Sequence, residues 1–133
     1  QVFIYSSGGA GVVEDMPFVL ANAAATASGA LWPLFSPLIG GLGAFVAGSN
    51  TVSNMMFAQF QFLTGLQIGV DPLWTVAEQA VGGAAGNTIC VHNVVAACAV
   101  AGLFGREGEI LRITLFLFLY YVIMAGILGM LLG

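Results

Sequence analysis

The stretch Gly48-Ser49-Asn50-Thr51-Val52-Ser53-Asn54 decides the fold. Five of its seven side chains carry a hydroxyl or an amide, and none is charged. It lies inside a long block, residues 16–70, that contains no Asp, Glu, Lys or Arg. A neutral polar break within an apolar block is typical of a discontinuous or re-entrant membrane helix, whose irregular backbone lies within protein or beside water. An ordinary loop outside the membrane, joining two short helices, is the alternative interpretation.

The composition of the whole chain fits this environment. Of 133 residues, 59% are hydrophobic and 6% are charged, and the formal net charge is −4; the mean hydropathy is +1.02. Soluble domains average about 25% charged residues, so a soluble α/β domain and a disordered tail are excluded. Two basic residues cannot form a nucleic-acid surface. The 19 glycines indicate closely packed or broken helices. We therefore predict an all-α, polytopic integral membrane protein with discontinuous or re-entrant helices.

The residues before the break predict a helix that is too short to cross a bilayer. Pro33 and Pro37 are expected to end the preceding apolar run, at Trp32, a candidate interfacial aromatic residue. The next apolar piece, Leu38–Ala47, would span only about 15 Å, roughly half of the hydrocarbon core. After the break, Met55–Ile68 predicts a further helix.

A second glycine-rich stretch, Val81–Asn93, resembles the first and ends in Asn87, Thr88, His92 and Asn93. We interpret it as a second break that faces the same site as the first. His92 is the only histidine, and an ionisable residue at membrane depth suggests a function; a neutral, hydrogen-bonded structural histidine is the alternative. Cys90 and Cys98 are predicted to be reduced packing residues rather than a disulfide or a metal pair.

Between the two breaks, Leu73–Ala80 predicts an interfacial connector. Trp74 would lie at the level of the lipid headgroups, and Glu78 would be solvated. At the start of the chain, Glu14 and Asp15 precede Pro17, which is a helix-start signal.

The end of the chain sets a membrane orientation. Both arginines lie in the charged loop 102–112, and Ile113–Leu132 predicts a plain spanning helix. The positive-inside rule places the loop Gly105–Arg112 in the cytoplasm and the C-terminus on the other side. Residues 1–133 then hold about four or five membrane-embedded segments, few for a whole transporter domain. We expect the chain to be the C-terminal part of one larger domain.

Several ordered motifs resemble the L-lactate permease family: Leu31-Trp32-Pro33-Leu34-Phe35-Ser36-Pro37, the stretch from Gly48 to Phe57, the stretch from Ala80 to Asn93, and Gly102–Glu109. The resemblance implies a multi-pass carrier in the bacterial or archaeal plasma membrane. Its substrates would be L-lactate and related 2-hydroxy-monocarboxylates such as glycolate, moved with protons by alternating access. The chain would be about the last quarter of such a protein. Ser49-Asn50-Thr51 also resembles a Ser-Asn-Thr signature of ion-coupled carboxylate carriers, which implies contact with the substrate carboxylate.

These observations predict a substrate site that is built from uncharged polar groups and holds no metal or cofactor. The protein is predicted not to be an enzyme. The predicted substrate-binding residues are Ser49, Asn50, Thr51, Ser53, Asn87, Thr88, His92 and Asn93. The predicted proton-coupling candidates are His92, Glu14, Asp15 and Glu78. The expected partners are the monocarboxylate, protons, the lipid bilayer and the remainder of the same chain; a homo-oligomer stays open.

Three alternatives differ in chemistry from this prediction. A sodium-coupled di- or monocarboxylate carrier would use the same kind of site with another coupling ion. A noncatalytic membrane subunit would not transport. An intramembrane serine hydrolase would pair Ser49 with His92.

Overall fold

Six α-helices joined by short turns form the regular structure of the computed structural model, which describes residues 16–132. The helices are α1 (Met16–Ser28), α2 (Trp32–Ala47), α3 (Asn50–Ile68), α4 (Pro72–Gly86), α5 (Val91–Ala101) and α6 (Glu107–Leu132), with a 3₁₀ turn at Gly29–Leu31. Every regular element in the described range is helical, and this confirms the all-α prediction.

Local capping chemistry sets the ends of α2, α3 and α4. Gly48 ends α2 in the left-handed conformation, with φ of 69°, a conformation that glycine adopts without steric cost. Ser49 then caps the N-terminus of α3. Asp71 caps α4, and its carboxylate accepts a hydrogen bond from the Leu73 amide at 2.9 Å. Pro72 occupies the first turn of α4, where no amide hydrogen is needed.

The prediction that two prolines break the chain before residue 38 is wrong. Pro33 lies in the first turn of α2 and Pro37 lies inside the helix, so Trp32–Ala47 is one helix of 16 residues. Pro37 leaves the carbonyl oxygen of Pro33 without its helical partner, and Gly126 of α6 packs beside that oxygen. Neighbouring helices commonly accommodate proline in this way within membranes. A 3₁₀ turn at Gly29–Leu31 joins this helix to α1.

Glycines bring α2 and α4 into backbone contact. A Cβ atom at Gly82 would overlap the Pro37 carbonyl oxygen, and one at Gly86 would overlap the backbone of Gly41. Small residues at a helix crossing allow this close approach. These glycines lie inside a helix rather than in a break. The second break is shorter than predicted, because Val81–Gly86 is helical and only the turn 87–90 separates α4 from α5.

The last helix, α6, covers α2 and α4. Phe118 and Val122 of α6 form an apolar cluster with Ala85 and Ile89. On the opposite side of the core, α1 packs on α3, and Trp32 meets Phe60 edge-to-face with ring centroids 5.5 Å apart.

Within residues 16–132, two segments are long and apolar enough to cross a membrane, Met16–Ala47 and Glu107–Leu132. A third candidate is a pair of helices, Pro72–Gly86 and Val91–Ala101, which meet at an angle of 42°. Together they would form a broken span or a re-entrant loop. These segments agree with the predicted all-α membrane protein fragment. The final helix is longer than predicted, because it begins at Glu107 and takes Glu107–Arg112 out of the expected loop.

Candidate functional site

The first break occupies only two residues between α2 and α3. The Gly48 amide donates to Ala44 O at 2.7 Å, which closes α2. The Ser49 hydroxyl accepts a hydrogen bond from the Val52 amide at 3.4 Å, and the Ser49 carbonyl accepts from Ser53 at 3.0 Å. The backbone N–H groups of the first two residues of α3 have no partner within the helix, as at any helix N-terminus, and they point toward the break.

The second break is the turn 87–90 between α4 and α5. The Thr88 hydroxyl donates to Ala85 O at 2.7 Å, which fastens the turn to the end of α4. Cys90 is the extended N-cap residue of α5, and its carbonyl accepts the first helical bond from Val94 at 3.0 Å. This break therefore also opens a helix N-terminus.

The two breaks touch each other. The Asn93 side-chain amide donates to Gly48 O at 3.4 Å. The His92 imidazole lies against Gly48, so that any side chain at residue 48 would overlap the ring. The Asn50 side-chain oxygen lies against Gly83 of α4, where a Cβ atom would likewise overlap it. Residues distant in sequence thus form one neutral polar cluster.

Two of the predicted site residues, His92 and Asn93, contact Gly48 directly. Ser49 follows Gly48 in the chain, and Asn50 lies against Gly83. Thr51 follows them on the first turn of α3 with an exposed side chain. Asn50 is held by Asn54, whose side-chain amide donates to it at 3.3 Å.

The other three predicted site residues have different surroundings. Ser53 is fully buried below the cluster. Asn87 is half-buried, and its side-chain oxygen has no hydrogen-bond partner among residues 16–132. Thr88 borders an apolar cavity that is also lined by Val81 and Tyr121, facing α6.

A buried hydrogen-bonded chain supports the cluster from below. Trp32 Nε1 donates to Gln61 Oε1 at 2.8 Å. Gln61 Nε2 donates to Gln79 Oε1 at 3.0 Å, and Gln79 Nε2 donates to Ser53 Oγ at 3.0 Å. The Ser53 hydroxyl in turn donates to Gly40 O at 2.8 Å. The chain joins α2, α3 and α4, and we name it the glutamine relay.

The relay was not predicted from the sequence. Two further buried hydroxyls brace it: Thr75 donates to Gln61 O at 2.9 Å, and Ser36 donates to Thr75 O at 2.8 Å. The available signal was the presence of amides and hydroxyls in apolar helices, where buried polar groups require partners. Trp32, expected at the membrane interface, is instead buried, with 5% of its surface exposed.

The structure corrects the predicted surroundings of Glu78. The expected connector is helix α4, and Glu78 is 5% exposed instead of solvated. Trp74 lies one turn before it on the same helix, with its indole nitrogen buried. The other two carboxylate candidates, Glu14 and Asp15, lie outside the described residues.

Helix termini set the electrostatics of the cluster. The N-termini of α3 and α5 each carry a partial positive charge of about half a unit, and the C-termini of α2 and α4 carry the opposite charge at the same breaks. Helix N-termini bind carboxylates and phosphates. Among residues 16–132, His92 is the titratable side chain in contact with both breaks, and its Nδ1 lies 3.2 Å from Cys90 Sγ. Hydroxyls, amides and backbone N–H groups would thus hold an anion without a fixed opposite charge.

Comparison with known proteins assigns the chain to a family. The family model described as L-lactate permease matches residues 2–133. The chain is 35% identical over 129 residues to the "Glycolate permease GlcA" of Escherichia coli K12, covering 97% of the chain and 22% of that protein. It is 34% identical over 113 residues to the "L-lactate permease" of Bacillus subtilis 168, covering 85% of the chain and 19% of that protein.

A third relative, the "L-lactate permease" of Escherichia coli K12, is 34% identical over 126 residues, covering 95% of the chain and 22% of that protein. The chain thus spans about a fifth of the length of the curated relatives it matches. No solved structure matches it significantly.

Proposed function

The chain belongs to the L-lactate permease family, and from this premise we propose that it is part of a secondary carrier of L-lactate and related 2-hydroxy-monocarboxylates. The proposed carrier works by proton symport with alternating access in the plasma membrane. The segment Gly105–Arg112, which includes the start of α6, would face the cytoplasm, and the C-terminus would lie on the other side. Relatives named for lactate and for glycolate support a short 2-hydroxy acid as substrate.

The observation that carries the proposal is the contact between the two helix breaks. Asn93 and His92 in the first turn of α5 meet Gly48, the residue before the N-cap of α3, and this supports a shared site at the starts of α3 and α5. Broken helices that point their N-termini at an anionic substrate are a recurring arrangement in transporters. A site of neutral donors also releases its anion more readily than a fixed ion pair, and transport requires release.

Each predicted residue receives a role in this proposal. Ser49, Asn50 and Thr51, with the first amides of α3, bind the substrate carboxylate. His92 and Asn93 face them from α5 and contact the carboxylate or the 2-hydroxyl group.

Asn87 and Thr88 line the approach from the end of α4. Ser53 is fully buried and hydrogen-bonded on two sides, so we assign it a positioning role below the first turn of α3. The proton-coupling candidates among the described residues are His92 and Glu78.

Uptake of radiolabelled L-lactate by the full-length protein in proteoliposomes tests the proposal. An inward proton gradient is expected to drive accumulation. Uptake that follows a sodium gradient and ignores the proton gradient would support the sodium-coupled alternative. Turnover of a substrate in detergent, without any gradient, would support the hydrolase. A protein that moves no substrate under any gradient would be the noncatalytic subunit.

The site assignment is tested by Asn50→Ala. Hydrogen bonds to a charged group contribute about 1.5–3 kcal/mol, so L-lactate uptake at low concentration should fall by about 10- to 150-fold. Gln59→Ala is the matched control, because Gln59 lies on the same helix with an exposed side chain. Unchanged uptake in Asn50→Ala would refute the assignment and leave the family membership intact.

A further inference from the structure

A cavity lies between α4 and α6, away from the helix breaks. It has a volume of about 180 Å³ and is lined by Trp74, Ala77, Glu78, Val81, Ala125, Leu128 and Gly129. A water molecule occupies about 30 Å³ of liquid, so the cavity has room for several. Its walls are apolar except for two groups on α4, and these two groups carry the inference.

The two polar groups are the Glu78 carboxyl group and the Trp74 indole N–H. Both Glu78 oxygens and Trp74 Nε1 are buried without a hydrogen-bond partner among residues 16–132. The Ser36 side chain lies within reach of the Glu78 carboxyl group, but its hydroxyl donates to Thr75 O at 2.8 Å. Residues four apart share one face of a helix, so Trp74 and Glu78 point into the same cavity.

Gly129 of α6 makes room for the carboxyl group. A Cβ atom at residue 129 would overlap Glu78 Oε1, so a side chain there would displace the carboxyl group. The acid is therefore enclosed by packing against α6.

No positive charge in the described part of the chain faces this acid. Helices α2 and α3, which pack on α4, carry no titratable residue. On α4 the other acid, Asp71, lies at the N-cap. On α6 the titratable residue nearest in sequence to Gly129 is Tyr121, eight residues earlier, which is about 12 Å along the helix. The remaining titratable groups of α6 are Glu107, Glu109, Arg112 and Tyr120, and those of α5 are His92 and Cys98, next to the N-cap Cys90.

An ionised carboxylate in such surroundings would be very costly. A buried charge without an opposite charge or hydrogen bonds usually becomes neutral instead, and ionisable residues within membrane segments commonly mark proton pathways. We propose that Glu78 is a proton-binding site, occupied in the conformation described here, and that Trp74 is its hydrogen-bonding partner through water. The proton-binding site stands independently of the proposed symport. The role of Glu78 in coupling proton movement to transport rests on that proposed function.

The step is a simple proton transfer. The Glu78 carboxylic acid loses its proton to water, and the carboxylate that forms accepts a hydrogen bond from water or from the Trp74 N–H. The cavity has room for the water that receives the proton. Both oxygens are buried in the conformation described here, and a separation of α4 from α6 during alternating access would expose them further to water.

Infrared spectroscopy of the full-length protein in lipid tests the proton site without transport. At pH 7, where exposed glutamates are ionised, a carboxylic-acid C=O band should be present and should be lost in Glu78→Gln. Gly129→Ala, a second variant, should shift this band because its methyl group meets the carboxyl group. A band that neither variant changes would overturn the proton site.

Transport tests the coupling. In Glu78→Gln, accumulation driven by a pH gradient should fall at least 10-fold more than lactate counterflow, which reports the folded carrier. Glu109→Gln is the control, because the Glu109 carboxylate is exposed in an ion pair with Arg106. This variant should change neither the pH-driven accumulation nor the counterflow. Normal accumulation in Glu78→Gln would overturn the coupling role. A wild type that ignores the pH gradient would refute the symport while leaving the infrared result unaffected.

Discussion

The glutamine relay predicts a measurable energetic coupling between Gln61 and Gln79. Each of these side chains is fully buried, and they share a hydrogen bond of 3.0 Å. Gln79→Leu would leave one amide hydrogen of Gln61 without a partner, although Gln61 keeps its 3.3 Å bond to Ser36 O. Gln61→Leu would leave the Gln79 side-chain oxygen and the Trp32 indole N–H without partners.

The magnitude follows from the groups that each change leaves unpaired. An unsatisfied buried donor or acceptor costs about 1–3 kcal/mol, so Gln79→Leu should destabilise by about 2 kcal/mol and Gln61→Leu by about 4 kcal/mol. In the double variant both partners of the hydrogen bond between residues 61 and 79 are absent. Neither the cost of the unpaired Gln61 amide nor that of the unpaired Gln79 oxygen then remains. Only the Trp32 N–H then lacks a partner, so the double variant should be more stable than the sum of the single changes predicts, by about 4 kcal/mol.

Reversible unfolding of the full-length protein in mixed micelles supplies the four free energies of this double-mutant cycle. Gln67→Leu is the control, because Gln67 lies exposed on the same helix as Gln61 and should change the free energy by no more than about 0.5 kcal/mol. If the effects of Gln61→Leu and Gln79→Leu add within about 0.5 kcal/mol, the two side chains do not interact and the relay is refuted.

Two glycine substitutions test the packing and the break, each against a matched control. Gly82→Ala should destabilise the protein by about 1–3 kcal/mol, because its methyl group would meet the backbone of α2. By contrast Gly108→Ala, in open space on a helix, should stabilise it by up to about 1 kcal/mol; equal effects in thermal unfolding would contradict the crossing. Gly48→Ala should lower L-lactate uptake at least tenfold, since the methyl group overlaps the His92 ring at a left-handed residue. The control Gly69→Ala has the same backbone strain in open space and should lower it far less.

The sequence was sufficient to predict where the first break begins but not its length, because the helix expected from Met55 already begins at Asn50. Gly48 and Ser49 are the residue types that end one helix and begin the next, and their preferences depend on local geometry alone. The structure places the α2 C-cap at Gly48 and the α3 N-cap at Ser49, as this chemistry requires. The contact between the two breaks was expected from the similarity of their sequences, and the hydrogen bond from Asn93 to Gly48 agrees with it.

The surroundings of Gln79 and Glu78 were beyond such reasoning. Both lie on a short, partly polar segment that could equally be a connector at the membrane surface. Whether it is buried depends on the crossing of α2 and α4, and no local preference reveals which residues of two helices will touch. Pro37 gave a misleading signal for the same reason, because α2 continues through it where Gly126 of α6 packs beside the Pro33 carbonyl oxygen.

The glycines join the packing to the site. We expected the glycine-rich stretches to break helices, yet most of these glycines lie inside α2 and α4, where they allow backbone contact. Gly41 of α2 meets Gly86, the last residue of α4, and Gly83 meets the Asn50 side chain at the start of α3. A crossing this close leaves the two helix ends little freedom to separate, so the breaks that follow them are held side by side. The geometry of the proposed anion site is thus a consequence of the α2–α4 crossing, and a substitution that widens the crossing should weaken substrate binding without altering any residue of the site.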